Sequence, residues 1–371
     1  MIMSLNLTDK CRVMIFAPHP DDETLATGGL LQQATAVGAP VRVIFATNGD
    51  NNPWPQRVIE HRWRIGITDQ VRWGAKRRDE ALAALKCLGI PSTCTVFLGY
   101  PDQGLTKLLL TGSQEILIKI ASEIANWNPT LLIIPSILDI HPDHNALAVL
   151  VRLALAYLGR HQSPLTQLSY LVHPPQRRWT PTDFIYLPLS QEQQLHKREA
   201  ILCHQSQLKL SRGKLLAFVK DSEKFLPVPE PISLYDRHPI RQVIPSDSTL
   251  QLDMVIRILP SLSGRSLLYF LGDPPGKGTT CLSVKLPVKS AKVDVRDVIS
   301  GTVVTSALFE GTCWKGKILL PLSVLLPAER IFIKLERRFI FFDAGGWREI
   351  SIPSLSQRAP SVTMIQGKNL P

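Results

Sequence analysis

Short apolar runs alternate with helical patterns between residues 12 and 158, and this alternation restricts the fold more than any other feature. Apolar runs typical of buried strands are followed by segments with helical periodicity; the strands are predicted at 12–17, 41–47, 95–98 and 131–135, and the helices at 24–37, 76–88, 114–127 and 146–158. Strands that alternate with helices favour a mostly parallel, Rossmann-like sheet with helices on both faces. Ligands of such α/β folds bind beyond the carboxyl ends of the strands.

The alternation stops in the C-terminal part of the chain. Residues 209–250 are irregular and rich in proline and charge, and short strand-like runs follow at 266–270, 292–295, 302–307, 317–320 and 331–335. Evenly spaced short strands predict a small antiparallel sandwich. We therefore expect an α/β domain over 1–240, whose tail is irregular from about 209, and an all-β domain over 250–371. The length of 371 residues agrees with two domains.

Residues 49–75 interrupt the pattern after the second predicted strand. They contain Pro53, Pro55 and three tryptophans at 54, 63 and 73. The segment is predicted to be a long loop. Two interpretations remain open: a lid or binding loop over the site, or a surface excursion whose tryptophans pack on the body of the domain.

Charge and composition bear on partners and location. The formal charge is +11, but the basic residues are scattered, and the densest clusters, at 76–78 and 177–178, are short. This scattered distribution, without an Arg-rich arm or an RNA-binding aromatic motif, argues against nucleic acid as a partner. The six cysteines form no CxxC pair and no signal peptide is evident, so we predict a reducing, cytoplasmic location. No apolar run reaches membrane-spanning length, and no feature indicates an oligomeric state.

Two clusters of histidine and aspartate follow predicted strands. The first strand ends in His19-Pro20-Asp21-Asp22-Glu23, and the apolar strand at 131–135 leads to His141-Pro142-Asp143-His144. A single His-Pro-Asp is an ordinary turn sequence. Because the carboxyl ends of parallel strands meet at one edge of the sheet, two such clusters favour a shared metal site.

The residue types suit a catalytic zinc ion, which takes three protein ligands and keeps a position for water. His19 and Asp22 lie three residues apart across a strand-to-helix turn, so both side chains can reach one ion, and His144 can complete the set. Zinc lowers the pKa of a bound water to about 7, and Asp21 is then available to take its proton. Other divalent ions remain alternatives, because a His, His, Asp set does not select zinc uniquely.

His141 is the histidine left over in the second cluster. It is placed to stabilise an oxyanion and to protonate a departing amine, with Asp143 holding its orientation.

Both motifs resemble those of the LmbE-like, or PIG-L, family of zinc de-N-acetylases. In that family an HPDDE motif follows the first strand and an HPDH-like motif follows a later one, and both are unbroken here. Further similar stretches lie at 77–81 with 88–89, at 97–102 and at 204–207. The resemblance covers about residues 10–208. It implies the same roles as the spacing: metal ligands His19, Asp22 and His144, general base Asp21, and acid or oxyanion partner His141 with Asp143 in support.

The resemblance also points to Arg77 as a residue that holds a polar substrate. The alternative is a structural salt bridge between Arg77 and Glu80, three residues further on.

The activity implied by the resemblance is zinc-dependent removal of an N-acetyl, or other N-acyl, group from a small, sugar-like or glycoconjugate substrate such as one containing N-acetylglucosamine. The alternative is an amide hydrolase acting on a non-sugar natural product. The C-terminal domain would then be a carbohydrate- or partner-binding module.

Overall fold

The structure, a computed structural model, describes residues 5–159, 164–175, 184–230, 238–256, 266–272, 279–328, 330–337 and 341–351. It contains an α/β part followed by an all-β part. The α/β part has seven strands and eight helices among its described residues: β1 Val13–Ala17, α1 Asp22–Ala36, β2 Val41–Thr47, α2 Pro53–Glu60, α3 Ile67–Cys87, β3 Thr95–Tyr100, α4 Leu105–Leu110, α5 Gln114–Trp127, β4 Leu131–Pro135, α6 Pro142–Leu158, β5 Thr166–Tyr170, β6 Ile185–Pro188, α7 Gln191–Cys203, α8 Gln205–Leu216 and β7 Ser222–Pro227.

The seven strands form one sheet in the order β3-β2-β1-β4-β5-β7-β6. The five strands from β3 to β5 are parallel, and β7 and β6 join antiparallel. One face packs against α4, α5 and α6, and the other packs against α1, α3, α7 and α8. The predicted mostly parallel sheet with helices on both faces is therefore confirmed.

The neighbouring strands β1 and β4 position the two motifs. Val13 of β1 lies beside Leu131 of β4 in parallel register, so both strands end at the same edge of the sheet. Their side chains are fully buried because helices cover both faces. The chain leaves β1 into the turn before α1, and it leaves β4 into the turn before α6.

Residues 49–75 are largely helical, so the predicted long loop is wrong. Pro53 is the first residue of α2, where its missing N–H would have no intrahelical partner. α3 begins at Ile67, well before the predicted start at 76, and the Asp69 carboxylate accepts from the Gly66 N–H at its start. Trp73 packs inside the domain with 1% exposure, whereas Trp54 and Trp63 are exposed.

The C-terminal part has nine strands among its described residues: β8 Ile240–Pro245, β9 Thr249–Val255, β10 Ser266–Gly272, β11 Thr280–Lys285, β12 Lys289–Asp297, β13 Val303–Thr312, β14 Lys315–Pro321, β15 Arg330–Arg337 and β16 Trp347–Ser351. They form a single antiparallel sheet in the order β16-β15-β10-β11-β12-β13-β14-β9-β8. Its all-β character is confirmed, but the expected two-sheet sandwich is not what the described residues form. One cluster of buried side chains fills its inner face, and Arg348 of β16 donates to the backbone carbonyls of Ile240 and Arg241 in β8. The sheet is thus curled, with its two edge strands, β8 and β16, brought together.

The two parts share a hydrophobic core. Tyr269, Phe332 and Trp347 of the C-terminal sheet join the cluster built around α5 and α6. Arg152 of α6 forms ion pairs with Glu230 and with Glu349 of β16. The division between residues 240 and 250 stays a prediction.

Among the described residues, no helix combines the length and apolar character needed to cross a bilayer.

Candidate active site

The turn between β1 and α1 presents the first motif at the sheet edge. Asp21 is the residue before α1 and has a φ of 140°, which is unusual for a residue other than glycine. Its backbone N–H donates to the buried Glu23 carboxylate at 3.0 Å. Such strain is found where the surrounding structure enforces it, often at functional sites. The two adjacent carboxylates have different partners: Asp21 lies beside Arg77, and Asp22 lies beside His19 and His144.

Asp22 lies between two histidines that come from different strands. Its Oδ2 atom is 3.2 Å from Nδ1 of His19 and 3.3 Å from Nε2 of His144. All three side chains are at most 8% exposed. The structure therefore brings together the three residues predicted as metal ligands.

A second carboxylate orients each of these histidines. Nε2 of His19 lies 3.1 Å from Oδ1 of Asp102, and Nδ1 of His144 lies 3.2 Å from Oδ2 of Asp139. Metal-ligating histidines usually donate their other N–H to a carboxylate or carbonyl in this way. The nitrogen nearer Asp22 is then the one with a free lone pair.

Sequence reasoning assigned no role to Asp102 or Asp139. Asp102 ends the family-like stretch at 97–102, and Asp139 begins the stretch that leads to His144. Sequence reasoning also missed His173, which follows β5 by three residues. Its ring centroid lies 5.1 Å from that of His144, and it lines the same cavity as the first motif. The available signal was that each aspartate follows the end of a strand within four residues, but nothing in the sequence indicates which histidine it contacts.

The residues fit a metal ion. Nε2 of His144 is buried, and its 3.3 Å approach to Oδ2 of Asp22 lacks hydrogen-bond geometry, an arrangement that a metal ion shared by the two groups would satisfy. Imidazole nitrogens and a carboxylate oxygen are a donor set suited to zinc and related ions. Two groups of described residues bring three possible ligand atoms within 4.8 Å of one another: His19 with His141 and His144, and His19 with Asp102 and Asp143. Both contain His19, and the first also contains His144.

The second of these alternative groups is already engaged by backbone donors. Oδ2 of Asp143 accepts from the Gln103 N–H at 2.6 Å, and Oδ1 accepts from the Leu105 N–H at 3.1 Å. Asp102 accepts from the Asn51 N–H at 3.0 Å. These two carboxylates therefore already hold the loops at 51 and 103–105 in place.

Asp143 does not orient His141 through its carboxylate, contrary to the expectation. Instead its backbone N–H faces Nδ1 of His141 at 3.3 Å, while its carboxylate binds the start of α4. Asp143 is the second residue of α6, where a free backbone N–H is available for such a contact. His141 is half-buried and lies in the cavity wall with its ring centroid 4.9 Å from that of His19.

Arg77 does not pair with Glu80. Its guanidinium donates to the carbonyls of Pro20 and Gly49 at 2.8 and 3.0 Å, and it lies 3.3 Å from Oδ2 of Asp21. Glu80 instead accepts from the backbone and hydroxyl of Ser206. Arg77 lines the cavity, but it is only 4% exposed, so the contact that the structure provides is with Asp21.

Burial and neighbouring charges separate the pKa values of the site residues in the metal-free structure. Burial raises the pKa of Asp21 to about 7, although Arg77 opposes the rise. Burial would also raise the pKa of Asp22, but His144 and His19 hold it well below its usual value. Burial and the neighbouring His144 and His19 lower the pKa of His141 well below its usual value, so this imidazole is neutral.

These groups face a cavity of about 900 Å³. Its polar lining includes residues of the first motif, Arg77 and Gln103. Its apolar lining comes from α1, from α8 and the residues that follow it, and from the segment before β16, namely Leu25, Leu215, Phe218, Phe341 and Phe342. Trp54 of α2 is 63% exposed and lies at the cavity, as the lid interpretation anticipated for part of the 49–75 segment. The cavity size is typical of a small-molecule site.

The sequence of this region matches a known family. The profile described as PIG-L, GlcNAc-PI de-N-acetylase, matches residues 14–155, which contain both motifs. Residues 14–155 form a PIG-L family domain. The part of the chain that follows this PIG-L domain lies outside the match.

Individual relatives of the PIG-L domain carry deacetylase names. A 1D-myo-inositol 2-acetamido-2-deoxy-alpha-D-glucopyranoside deacetylase of Mycobacterium avium is 38% identical over 84 residues, which are 22% of this chain and 27% of that protein. The protein of the same name from Mycobacteroides abscessus is 37% identical over 89 residues, which are 24% of this chain and 30% of that protein. This chain thus spans less than a third of the length of these curated relatives.

Among solved structures, N,N'-diacetylchitobiose deacetylase from Pyrococcus horikoshii is similar, with 20% identity and a TM-score of 0.46. The match covers 59% of this chain and 84% of that one.

Proposed function

We propose that this chain is a metal-dependent N-deacetylase that removes an acetyl, or another acyl, group from the nitrogen of a small sugar-like or glycoconjugate substrate. The observation that carries the proposal is the convergence on Asp22. Two histidines from different strands lie 3.2 and 3.3 Å from its Oδ2 atom, and a buried carboxylate lies near the other nitrogen of each. The PIG-L domain and its relatives' names support the choice of reaction.

His19, Asp22 and His144 would hold a divalent ion, with zinc as the first choice. Such an ion polarises a carbonyl oxygen and lowers the pKa of a coordinated water to about 7. The three side chains are buried, so water does not compete strongly for them. The buried carboxylates Asp102 and Asp139 would keep the imidazoles in the required tautomers.

Asp21 would act as the general base. It follows the ligand His19 by two residues, lines the cavity and is held by the Arg77 guanidinium at 3.3 Å. It would accept a proton from the attacking water as the water oxygen bonds to the acyl carbon. Arg77 is therefore proposed to position Asp21, in addition to any contact with substrate.

His141 would assist at the other side of the reacting carbonyl. With Nδ1 facing the Asp143 N–H, its Nε2–H is left to donate to the developing oxyanion. When the C–N bond breaks, the departing nitrogen needs a proton, and Asp21 would return the one that it took from the water. The neutral His141 would keep its Nε2–H for the oxyanion, since losing it would leave an imidazolate. The products are a carboxylate and a free amine.

Release of acetate from N-acetylated sugars tests the reaction. The zinc-loaded protein should release acetate from N-acetylglucosamine or a small conjugate of it, should lose activity with a chelator, and should regain it with zinc. Full activity of the metal-free protein would contradict the metal-dependent mechanism. No acetate from any N-acetylated sugar would rule out the substrate class.

The apolar side of the cavity favours a second candidate, in which the acyl group is longer or the substrate is a non-sugar natural product. Leu25, Leu215 and Phe218 provide surface that an acetyl group alone does not require. Rates for a series of N-acyl glucosamines with short to medium-length chains, from acetyl to octanoyl, would separate the candidates. A maximum at acetyl supports the first, and a maximum at longer chains supports the second.

A further inference from the structure

A second cavity adjoins the one that contains the motifs. It has a volume of about 590 Å³ and lies between α4 of the PIG-L domain and strands β10 and β15 of the C-terminal sheet. Gln103, His141 and Phe341 line both cavities. The two cavities therefore meet at His141, beside the proposed reacting centre.

The C-terminal sheet fixes the wall where the cavities meet. The Asp343 N–H donates to the Ile140 carbonyl at 2.8 Å, and its carboxylate binds Lys334 at 2.6 Å and the Asn145 amide at 2.7 Å. These contacts anchor the segment that carries Phe341. The Phe341 ring lies edge-on to His141 at 5.2 Å between centroids and is 49% exposed.

The lining of the second cavity combines apolar surface, including the Tyr269 and Phe341 rings, with the hydroxyls of Thr106 and Thr111. Charged groups of both signs also line it, among them Lys107 and Glu336, and Lys334 is already paired with Asp343, so cations are not in excess. A phosphate or carboxylate ligand would call for unbalanced cations, which this set does not provide. Hydroxyls and mixed charges beside an aromatic ring suit an uncharged, polyhydroxylated ligand.

We infer that this interdomain cavity is a subsite for a second sugar-sized unit, linked to the unit that loses its acyl group at His141. The inference rests on the proposed function. It makes the C-terminal sheet part of the substrate site: the sheet supplies Phe341 and one wall of the subsite. Substrates of two or more units should be preferred to a single sugar, because only they fill both cavities.

The test compares N-acetylglucosamine with N,N'-diacetylchitobiose. For the zinc-loaded protein, we expect kcat/KM to be roughly tenfold or more higher for the disaccharide. Lys107→Trp, which fills the second cavity from the exposed face of α4, should remove this preference by lowering kcat/KM for the disaccharide towards the value for the monosaccharide. Lys86→Trp, at an exposed position on α3 that lines neither cavity, is the matched control.

A second pair of variants tests the role of Phe341 in the wall of the subsite. Phe341→Ala should raise KM for the disaccharide more than it lowers kcat. Trp314→Ala removes an aromatic ring of similar exposure, 54%, from a part of the C-terminal sheet that lines neither cavity, and it should change neither constant.

Calorimetric titration of Asp21→Asn with both sugars separates the inference from the reaction. Tighter binding of the disaccharide that Lys107→Trp abolishes supports the subsite, even if no acetate is released and the deacetylase proposal fails. Equal binding and equal kcat/KM for the two sugars would overturn the subsite while leaving a deacetylase in place.

Discussion

Replacing Asp139 with asparagine should weaken metal binding without changing the size of the side chain. Four groups donate to this fully buried carboxylate. Oδ2 faces Nδ1 of His144 at 3.2 Å and the backbone N–H groups of Val172 and His173 at 3.0 and 2.9 Å, and Oδ1 accepts from the His141 N–H at 2.9 Å. The asparagine side chain would have only one acceptor oxygen.

The hydrogen bonds decide which way the amide turns. If its NH₂ group took the Oδ2 side, it would oppose three donors, so it should face the single His141 N–H instead. That N–H then loses its acceptor, which costs about 1–3 kcal/mol of folding free energy. Nδ1–H of His144 still donates a hydrogen bond, but the acceptor is now a neutral amide oxygen. Loss of such a carboxylate partner typically lowers metal affinity about 10–100-fold, or about 1.4–2.8 kcal/mol.

Zinc affinity by competition with a chromogenic chelator, together with urea unfolding of the metal-free protein, measures both effects. Asp294→Asn is the control, since it removes a carboxylate whose side chain is 55% exposed in the C-terminal sheet. A folded Asp139→Asn protein that binds zinc as tightly as the wild type would refute the assignment of His144 as a ligand oriented by Asp139.

Three further substitutions test other parts of the structure. Asp21→Ala should lower turnover by about 10²–10⁴-fold while bound zinc stays near the wild-type level; a loss of metal as large as that of His19→Ala, measured by atomic absorption, would contradict its role as base. Trp347→Ala, at a fully buried residue that joins the two parts, should lower the free energy of unfolding by about 3–5 kcal/mol in urea melts; a change near zero would mean that the shared core contributes little. Glu223→Gln should cost about 3–5 kcal/mol in the same assay, because it leaves the ammonium of Lys197, 2.6 Å away and 1% exposed, without its buried counter-ion; recovery of stability in a double variant with Lys197→Met would confirm that reason.

Much of the α/β part could be predicted from local sequence. The strand predicted at 41–47 and the helix predicted at 114–127 match β2 and α5 to the residue. A continuous apolar run indicates a strand buried on both faces, and helical periodicity indicates a helix buried on one face. The local pattern is therefore enough to predict the type of each element. The predicted loop at 49–75 was wrong because proline interrupts a helix only at interior positions, whereas Pro53 and Pro55 both lie in the first turn of α2.

The C-terminal part shows where local pattern stops being sufficient. Short strands predicted at 266–270 and 331–335 correspond to β10 and β15, yet the sequence does not distinguish one curled sheet from two facing sheets. That choice depends on which strands pair and on edge contacts such as Arg348 with the carbonyls of β8. The order of the strands is a property of long-range pairing, which no local periodicity encodes.

The metal-ligand candidates were determined by the sequence alone, because His19, Asp22 and His144 lie in compact motifs that each follow a strand. Their partners were decided by the tertiary structure. Asp102 meets His19 from 83 positions along the chain, since β3 lies two strands from β1 in the sheet. Phe341 reaches His141 only because the C-terminal sheet packs on α6. A motif can specify ligands that are close in sequence, but the groups that orient them and enclose the substrate come together only when distant segments bury a common core.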